Sequence, residues 1–340
     1  MRIIGFLIAV LMAGAAHGFE VEDHRHYPAQ DEQTVLRVIS TADLGVFEPV
    51  LLAFQTAHPD ISIDYTVTGT SDLMAAIYDE GASFDVAISS AMDLQTKLAN
   101  DGYAVRYEPT AIDLPEWANW RDQLFAFTQE PAVLVVSDAF FALDETPRNR
   151  DELIALLRES PQRFDGKIGT YDVRRSGFGY LMATQDSRNS EAFWRLMEVM
   201  GRLNARLYCC SSDMIRDVAE GRLALAYNVL GSYAAAQAAD TPGFQIVEMS
   251  DFTNVMSRTA LIPATVQNEQ GAQAMIDFLL AYNQRPDLID ATGLPAIDSA
   301  LFQSNTALRP IRFGPGLLVF LDQLKRASFL KNWESSLEQR

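Results

Sequence analysis

The chain has 340 residues and a formal net charge of −18, with 45 acidic residues against 27 lysines and arginines. An acidic surface repels nucleic acids and anionic membranes, so we exclude both as binding partners. The length suits two lobes of ~100–200 residues each, and beyond the N-terminus no apolar run approaches the ~18 residues of a membrane span.

Residues 1–18 have the pattern of a cleaved secretory signal peptide. Arg2 supplies the positive charge, residues 3–12 form a short apolar core, and small residues lead up to Gly18. We therefore predict export to the periplasm, with an uncleaved N-terminal anchor as the alternative. Residues 19–33 are charged and lack periodicity, which predicts a flexible leader.

Three strand–loop–helix units follow from residue 34, each with a hydroxyl-bearing loop. This alternation predicts an α/β fold with a mainly parallel sheet flanked by helices. The carboxyl ends of parallel strands meet at one sheet edge, so we expect the loops to converge on a ligand. The alternative is that their residues only cap helices. The loop residues are Ser40 and Thr41, Thr70 and Ser71, and Ser89 and Ser90.

The strand-like stretch 124–136 predicts a crossing into a second lobe, which we place at residues 131–233. A buried strand at 223–228 is expected to carry the chain back. Residues 34–130 and 234–340 would then form a discontinuous first lobe. The polar loops of the second lobe supply further candidate ligands: Arg174, Arg175, Ser176, Gly177, Ser211, Ser212 and Asn228.

The two cysteines, Cys209 and Cys210, are adjacent. We expect two thiols, because neighbouring cysteines rarely reach good disulfide geometry; a vicinal disulfide is the alternative in an oxidising compartment. Two cysteines are too few for a four-cysteine zinc cluster, and His24 and His26 lie in the predicted leader. We predict no cofactor and, in the favoured interpretation, no metal site.

Several short motifs occur in a fixed order along the mature chain: Val38-Ile39-Ser40-Thr41, Thr68-Gly69-Thr70-Ser71, Phe84-Asp85-Val86, Gly166-Lys167-Ile168-Gly169, Arg175-Ser176-Gly177-Phe178-Gly179-Tyr180-Leu181, and Ser211-Ser212 before Val218-Ala219-Glu220-Gly221. Together they resemble the ABC-transporter solute-binding proteins of the ferric-iron-binding group. The resemblance implies a two-lobed periplasmic-binding-protein clamshell, type II-like, with a hinge of crossover strands. Its members hand a bound solute to a membrane permease, and relatives bind ferric ion with a synergistic anion, or sugar phosphates, phosphonates and similar anions.

Iron-binding members are similar in carrying an adjacent tyrosine pair, because phenolate oxygens are hard ligands. Here Ser232 stands at the first position and only Tyr233 is left, so a ferric-ion-binding protein with Tyr233 as a metal ligand is the second choice. We favour a small phosphorylated or carboxylated metabolite, since Arg174 and Arg175 at a predicted helix start can offer forked donors. Arg175 is preferred if only one turns inward. The alternative is that both face solvent.

The sequence predicts no enzyme activity and no catalytic residues. It has no Gly-x-Ser-x-Gly elbow, no Gly-x-x-x-x-Gly-Lys-Ser/Thr loop and no His-Glu-x-x-His pair. A sensory accessory protein, which presents its solute to a membrane sensor kinase, is a further alternative. We expect a monomer that closes on its anion by hinge motion and delivers it to an inner-membrane ABC permease.

Overall fold

The computed structural model describes residues 18–109, 115–142 and 145–338. These form two lobes, each built on a seven-stranded sheet covered by helices. The predicted signal peptide, apart from Gly18, lies outside the described residues. Among the residues described, no helix is long and apolar enough to cross a membrane.

The first lobe has a mixed sheet. Its strands are β1 (Val21–Tyr27), β2 (Thr34–Ser40), β3 (Ile61–Thr68), β4 (Val86–Ser89), β5 (Asn119–Trp120), β6 (Leu124–Ala126) and β13 (Thr259–Leu261). Their order is β1-β3-β2-β4-β13-β6-β5, with β2 parallel to β3 and β4 and the outer pairings antiparallel. Its helices are α1 (Leu44–Ala57), α2 (Thr70–Tyr78), α3 (Met92–Asn100), α10 (Glu269–Leu280) and α11 (Pro286–Thr292).

The second lobe also has a mixed sheet. Its strands are β7 (Glu130–Ser137), β8 (Ile168–Tyr171), β9 (Arg206–Tyr208), β10 (Leu225–Leu230), β11 (Phe244–Val247), β12 (Thr253–Met256) and β14 (Leu308–Pro310). The order is β14-β12-β7-β10-β8-β9, with β11 also paired to β7. Its helices are α4 (Arg150–Glu159), α5 (Pro161–Phe164), α6 (Gly177–Asn189), α7 (Ala192–Arg202), α8 (Ser211–Ala219), α9 (Gly231–Asp240) and α13 (Gln323–Leu337).

The central strands of the first sheet are buried on both faces. Every residue of β4 is buried, as are Leu36, Val38 and Ile39 of β2. Helices on each side of a parallel sheet exclude water in this way, so such strands read as continuous apolar runs. Helix α1 covers one face with Phe47, Val50 and other apolar residues at helical spacing. The carboxyl ends of β2, β3 and β4 are thereby fixed relative to one another.

Three segments of the chain cross between the lobes. Residues 127–129 connect β6 to β7, Ser257 and Arg258 connect β12 to β13, and residues 293–307, which include the short helix α12 (Leu301–Ser304), connect α11 to β14. We expected the strand near Leu225 to carry the chain back. That expectation is wrong, because β10 pairs with β7 and β8 inside the second sheet.

The C-terminal part of the chain is divided between the lobes, whereas we expected all of 234–340 in the first. Helix α13 packs on α7, with Phe329, Trp333 and Leu337 buried in the core of the second lobe. These residues recur every four positions and so form one apolar face. At Gly201 of α7, a Cβ atom would lie 2.9 Å from the Cα of Leu337, so a residue without a side chain permits this close approach.

The segment expected to be a flexible leader contains a strand. Residues Val21–Tyr27 pair antiparallel with β3 along the sheet edge. An edge strand is held by its backbone hydrogen bonds, so its outward side chains need no apolar alternation. His24, for example, is exposed and hydrogen-bonds through Nε2 to Asp64 Oδ1 at 2.7 Å.

Candidate functional site

A cavity of about 370 Å³ lies between the two lobes. Its walls contain the starts of five helices, α1, α2, α6, α8 and α9, from both lobes, together with the beginning of the N-terminal strand. The lining residues are Glu20, Glu22, Thr41, Asp43, Thr68, Gly69, Thr70, Ser71, Asp72, Ser90, Tyr171, Arg174, Arg175, Ser176, Phe178, Cys209, Cys210, Ser211, Ser212, Leu230 and Tyr233.

On one side of the cavity, α2 of the first lobe contacts the start of α6 in the second. The hydroxyl of Ser71 donates to the carbonyl oxygen of Arg175 at 2.7 Å. The backbone N–H of Phe178 donates to Thr70 Oγ1 at 3.1 Å. These two loops therefore close one edge of the cavity.

On the other side, Asp43 connects the lobes. Its Oδ2 accepts from Ser212 Oγ at 2.8 Å, and its backbone N–H donates to the hydroxyl of Tyr233 at 3.2 Å. Both partners belong to the second lobe. The cavity is consequently bounded by hydrogen bonds between lobes on two sides.

Most of the residues singled out from the sequence line this cavity. They are Thr41, Thr70, Ser71, Ser90, Arg174, Arg175, Ser176, Ser211, Ser212 and Tyr233. The others do not: Ser40, Ser89, Gly177 and Asn228 lie outside the lining.

Four of the predicted residues lie outside the cavity lining and make contacts within the fold. Ser40 and Ser89 are buried and accept hydrogen bonds from the N–H groups of Ala42 and Ala91, two residues ahead, which form local turns before the helices and are not helix caps. Gly177 packs against Leu94, where a Cβ atom would meet Leu94 Cδ1 at 2.6 Å. Asn228 is buried and donates to Asp186 Oδ2 at 2.8 Å.

The two adjacent arginines have different partners. Arg174 forms ion pairs with Asp172 at 2.8 Å and Glu338 at 2.6 Å. Arg175 is exposed, and in the described parts of the chain no carboxylate lies within ion-pairing distance of its guanidinium. A solute anion would thus compete with three carboxylates for Arg174, those of Asp172, Glu334 and Glu338, and with none among the described residues for Arg175.

Four of the five helix starts in the wall, those of α1, α2, α8 and α9, have no side-chain cap. The residues preceding α2 and α8, Gly69 and Cys210, make no capping hydrogen bond through a side chain. The first N–H groups of a helix carry partial positive charge and favour anions. In contrast, the start of α6 is satisfied, since Ser176 Oγ accepts from the N–H of Gly179 at 3.1 Å.

Carboxylates line the same cavity, and the sequence reasoning did not single them out. They are those of Glu20, Glu22, Asp43 and Asp72. Enclosure raises the pKa of Glu22, and the neighbouring carboxylates of Asp43 and Asp72 raise it further. Asp43 and Asp72 directly follow the predicted hydroxyl loops, so position was an available signal for them. Glu20 and Glu22 had no comparable sequence signal, because their segment was interpreted as a flexible leader.

Cys209 and Cys210 form a disulfide, whereas we expected two thiols. Bridge geometry in general disfavours adjacent cysteines, but the loop between β9 and α8 brings these two sulfur atoms together. Both residues line the cavity. Asp213 is the third member of the same group of potential metal ligands, and the disulfide removes both thiolates from it.

The two tyrosines of the cavity already have hydrogen-bond partners. Burial raises the pKa of Tyr233 to about 12, and its hydroxyl accepts from the backbone N–H of Asp43. Burial also raises the pKa of Tyr171, whose hydroxyl shares a hydrogen bond with Ser211 Oγ at 2.5 Å. A ferric ion bound by either residue would have to displace the phenolic proton.

The family can now be assigned by comparison. Residues 36–285 match the family model of the bacterial extracellular solute-binding proteins. The chain belongs to this family. The solute-binding protein is also similar to the substrate-binding protein of an ABC transporter from Agrobacterium tumefaciens, with 35% identity over 93% of this chain and 98% of that chain and a TM-score of 0.87. No curated protein matches it by sequence.

More distant structures share the two-lobed fold. AfuA from Actinobacillus pleuropneumoniae, with fructose-6-phosphate bound, is 14% identical, with a TM-score of 0.70 over 91% of this chain and 100% of that chain. Iron-bound HitA from Pseudomonas aeruginosa is also 14% identical, with a TM-score of 0.67 and coverages of 89% and 99%. The solute-binding protein thus has the clamshell fold of ABC-transporter binding proteins, and its family acts outside the cytoplasmic membrane.

Proposed function

We propose that the protein captures a small phosphorylated or carboxylated metabolite that also carries hydroxyl or ammonium groups, and delivers it to an ABC permease. The observation that supports this most is the presence, in one cavity, of four carboxylates and of uncapped helix starts from both lobes, those of α2 and α8 among them. The helix starts need a hydrogen-bond acceptor and the carboxylates need hydrogen-bond donors, so one solute must carry both kinds of group.

The helix starts of α2 and α8 favour the anionic group of the solute. Their N–H groups come from different lobes and need an acceptor. Arg175 adds a charged, forked donor at the same cavity. Oxygens of a phosphate or carboxylate can accept from all three, which favours the closed arrangement of the lobes through contacts to both.

The carboxylates of Glu22, Asp43 and Asp72 favour donor groups on the rest of the solute. An anion that filled the whole cavity would be repelled by them. Hydroxyl or ammonium groups would instead donate to them, as a sugar phosphate or an amino acid can. The phosphosugar bound to the structural neighbour AfuA has this combination of groups.

Thermal denaturation of the protein lacking residues 1–18 tests the proposal. The panel pairs fructose-6-phosphate with fructose, adds amino acids and hydroxy acids, and includes putrescine and ferric citrate. A solute present at a hundred times its Kd adds about 2.7 kcal/mol to the stability of the folded state. We expect a rise in Tm only with compounds that combine an anionic group with donors. A rise with putrescine, or with ferric citrate where citrate alone gives none, would overturn the proposal.

A further inference from the structure

The Cys209–Cys210 disulfide lies in the wall of the cavity, immediately before α8. We propose that this bond is a redox-modification site that controls the solute cavity: the bonded form holds the start of α8 in place, and reduction releases it. This inference deepens the proposed function, because it concerns the same cavity and the contact that closes it.

The disulfide is accessible to a reductant. Cys209 is exposed and Cys210 is partly exposed, and exposed disulfides are the ones that thiolates attack most readily. A dithiol reductant acts in two steps. One of its thiolates attacks a cysteine sulfur, breaking the S–S bond and forming a mixed disulfide. Its second thiol then displaces that cysteine, so the dithiol becomes a disulfide and supplies the two electrons and two protons that the cysteines take up.

The disulfide restricts the backbone immediately before α8. A disulfide between neighbouring residues closes a small ring that includes the peptide bond between them. Here the ring fixes Cys210, the residue that precedes α8. Two residues later, Ser212 Oγ donates to Asp43 of the first lobe. Opening the ring frees the backbone next to this contact between the lobes.

The body of α8 is held independently of the disulfide. Ser211 is buried, shares a hydrogen bond with the hydroxyl of Tyr171, and accepts from the N–H of Leu230 at 3.2 Å. Met214, Ile215 and Val218 pack in the core. Reduction should therefore loosen Cys209 and Cys210, and weaken the nearby contact of Ser212 with Asp43, without unfolding the helix.

Hydrogen–deuterium exchange of the protein without any solute tests this. The oxidised protein, the protein in dithiothreitol and the Cys209→Ser/Cys210→Ser variant are compared, and iodoacetamide labelling reports the thiols. We expect labelling only after reduction, and several-fold faster exchange at the start of α8 and at the Asp43 loop in the reduced protein. The double variant should match the reduced protein and not respond to dithiothreitol.

Two results would overturn the inference: both cysteines label in the untreated protein, or exchange at the start of α8 is equal in all three samples. Because exchange is measured on the protein alone, it decides the redox inference independently of the solute panel. A protein that responds to dithiothreitol but binds no anion would refute only the proposed solute.

Discussion

Glu130 and Arg258 form an ion pair in which both side chains are fully buried, with 3.2 Å between Glu130 Oε1 and Arg258 Nε. They lie on two of the segments that cross between the lobes, Glu130 at the start of β7 and Arg258 between β12 and β13. Thr128 and Ser232 donate to the two carboxylate oxygens of Glu130. The segments that cross between the lobes are therefore linked by charges that have no access to water.

Removing one charge of this pair should destabilise the protein strongly. In Glu130→Gln, the guanidinium of Arg258 is left buried without a counter-charge, which costs about 3–5 kcal/mol. The double variant Glu130→Gln/Arg258→Gln should lose much less. Urea denaturation of the wild-type protein, of both single variants, Glu130→Gln and Arg258→Gln, and of the double variant gives the coupling energy. A double variant whose loss equals the sum of the two single losses would mean that the pair is not coupled.

Gly201→Ala should loosen the C-terminal helix. The new Cβ atom would overlap the backbone of α13 at Leu337, and overpacking of this kind costs about 1–3 kcal/mol. Gly45→Ala in α1 is the matched control, because a Cβ atom there has no neighbour within 4 Å. It should be neutral or slightly stabilising. Thermal denaturation of both variants tests the packing; equal Tm values would contradict it.

Asp93 makes stability depend on pH. Burial raises the pKa of its carboxyl from 3.8 to about 7, with Arg326 acting in the opposite direction. The folded protein then holds this proton more tightly than the unfolded chain, so its stabilising contribution is complete below pH 3.8 and is lost as the pH rises through about 7. Asp93→Asn stays neutral. It should therefore exceed the wild-type protein in Tm at pH 8, with the difference shrinking towards pH 5. A difference in Tm between Asp93→Asn and the wild-type protein that stays the same from pH 5 to pH 8 would contradict this.

The two arginines should differ in their effect on solute affinity. Arg175→Ala removes a guanidinium that has no ion-pair partner in the described parts of the chain. It should weaken binding by roughly 1.5–3 kcal/mol if the side chain donates to the anion. Arg174→Ala is the control, since that side chain already pairs with Asp172 and Glu338. Isothermal titration calorimetry with the most stabilising solute of the panel measures both. A larger loss for Arg174→Ala would reverse the assignment.

Local patterns predicted the parts of the fold that depend on neighbouring residues. The strands ending at Ser40 and Ser89 and the helices that follow them were visible in apolar periodicity and polar loops. That pattern also brought Thr70, Ser71 and Ser212 to the cavity. It did not distinguish them from Ser40 and Ser89, since the sequence around a hydroxyl near a helix start does not show whether the hydroxyl accepts a local hydrogen bond or lines a cleft.

The remaining features depend on partners distant in the chain. β1 is held by backbone hydrogen bonds to β3, which the charged side chains of Val21–Tyr27 do not reveal. Trp333 and its neighbours form an apolar face that would suit either lobe, and only contact with α7 decides between them. Glu20 and Glu22 reach the cavity only because β1 is a strand. Contacts between residues distant in the chain therefore determine the features that local sequence patterns did not predict.

A crystal structure of the protein with the most stabilising solute of the panel tests the central claim most directly. We predict a solute between the lobes, with its phosphate or carboxylate oxygens accepting from the N–H groups at the starts of α2 and α8. Its hydroxyl or ammonium groups should face Glu22, Asp43 or Asp72. A solute bound outside the cavity, or one whose anionic group points away from both helix starts, would contradict the claim.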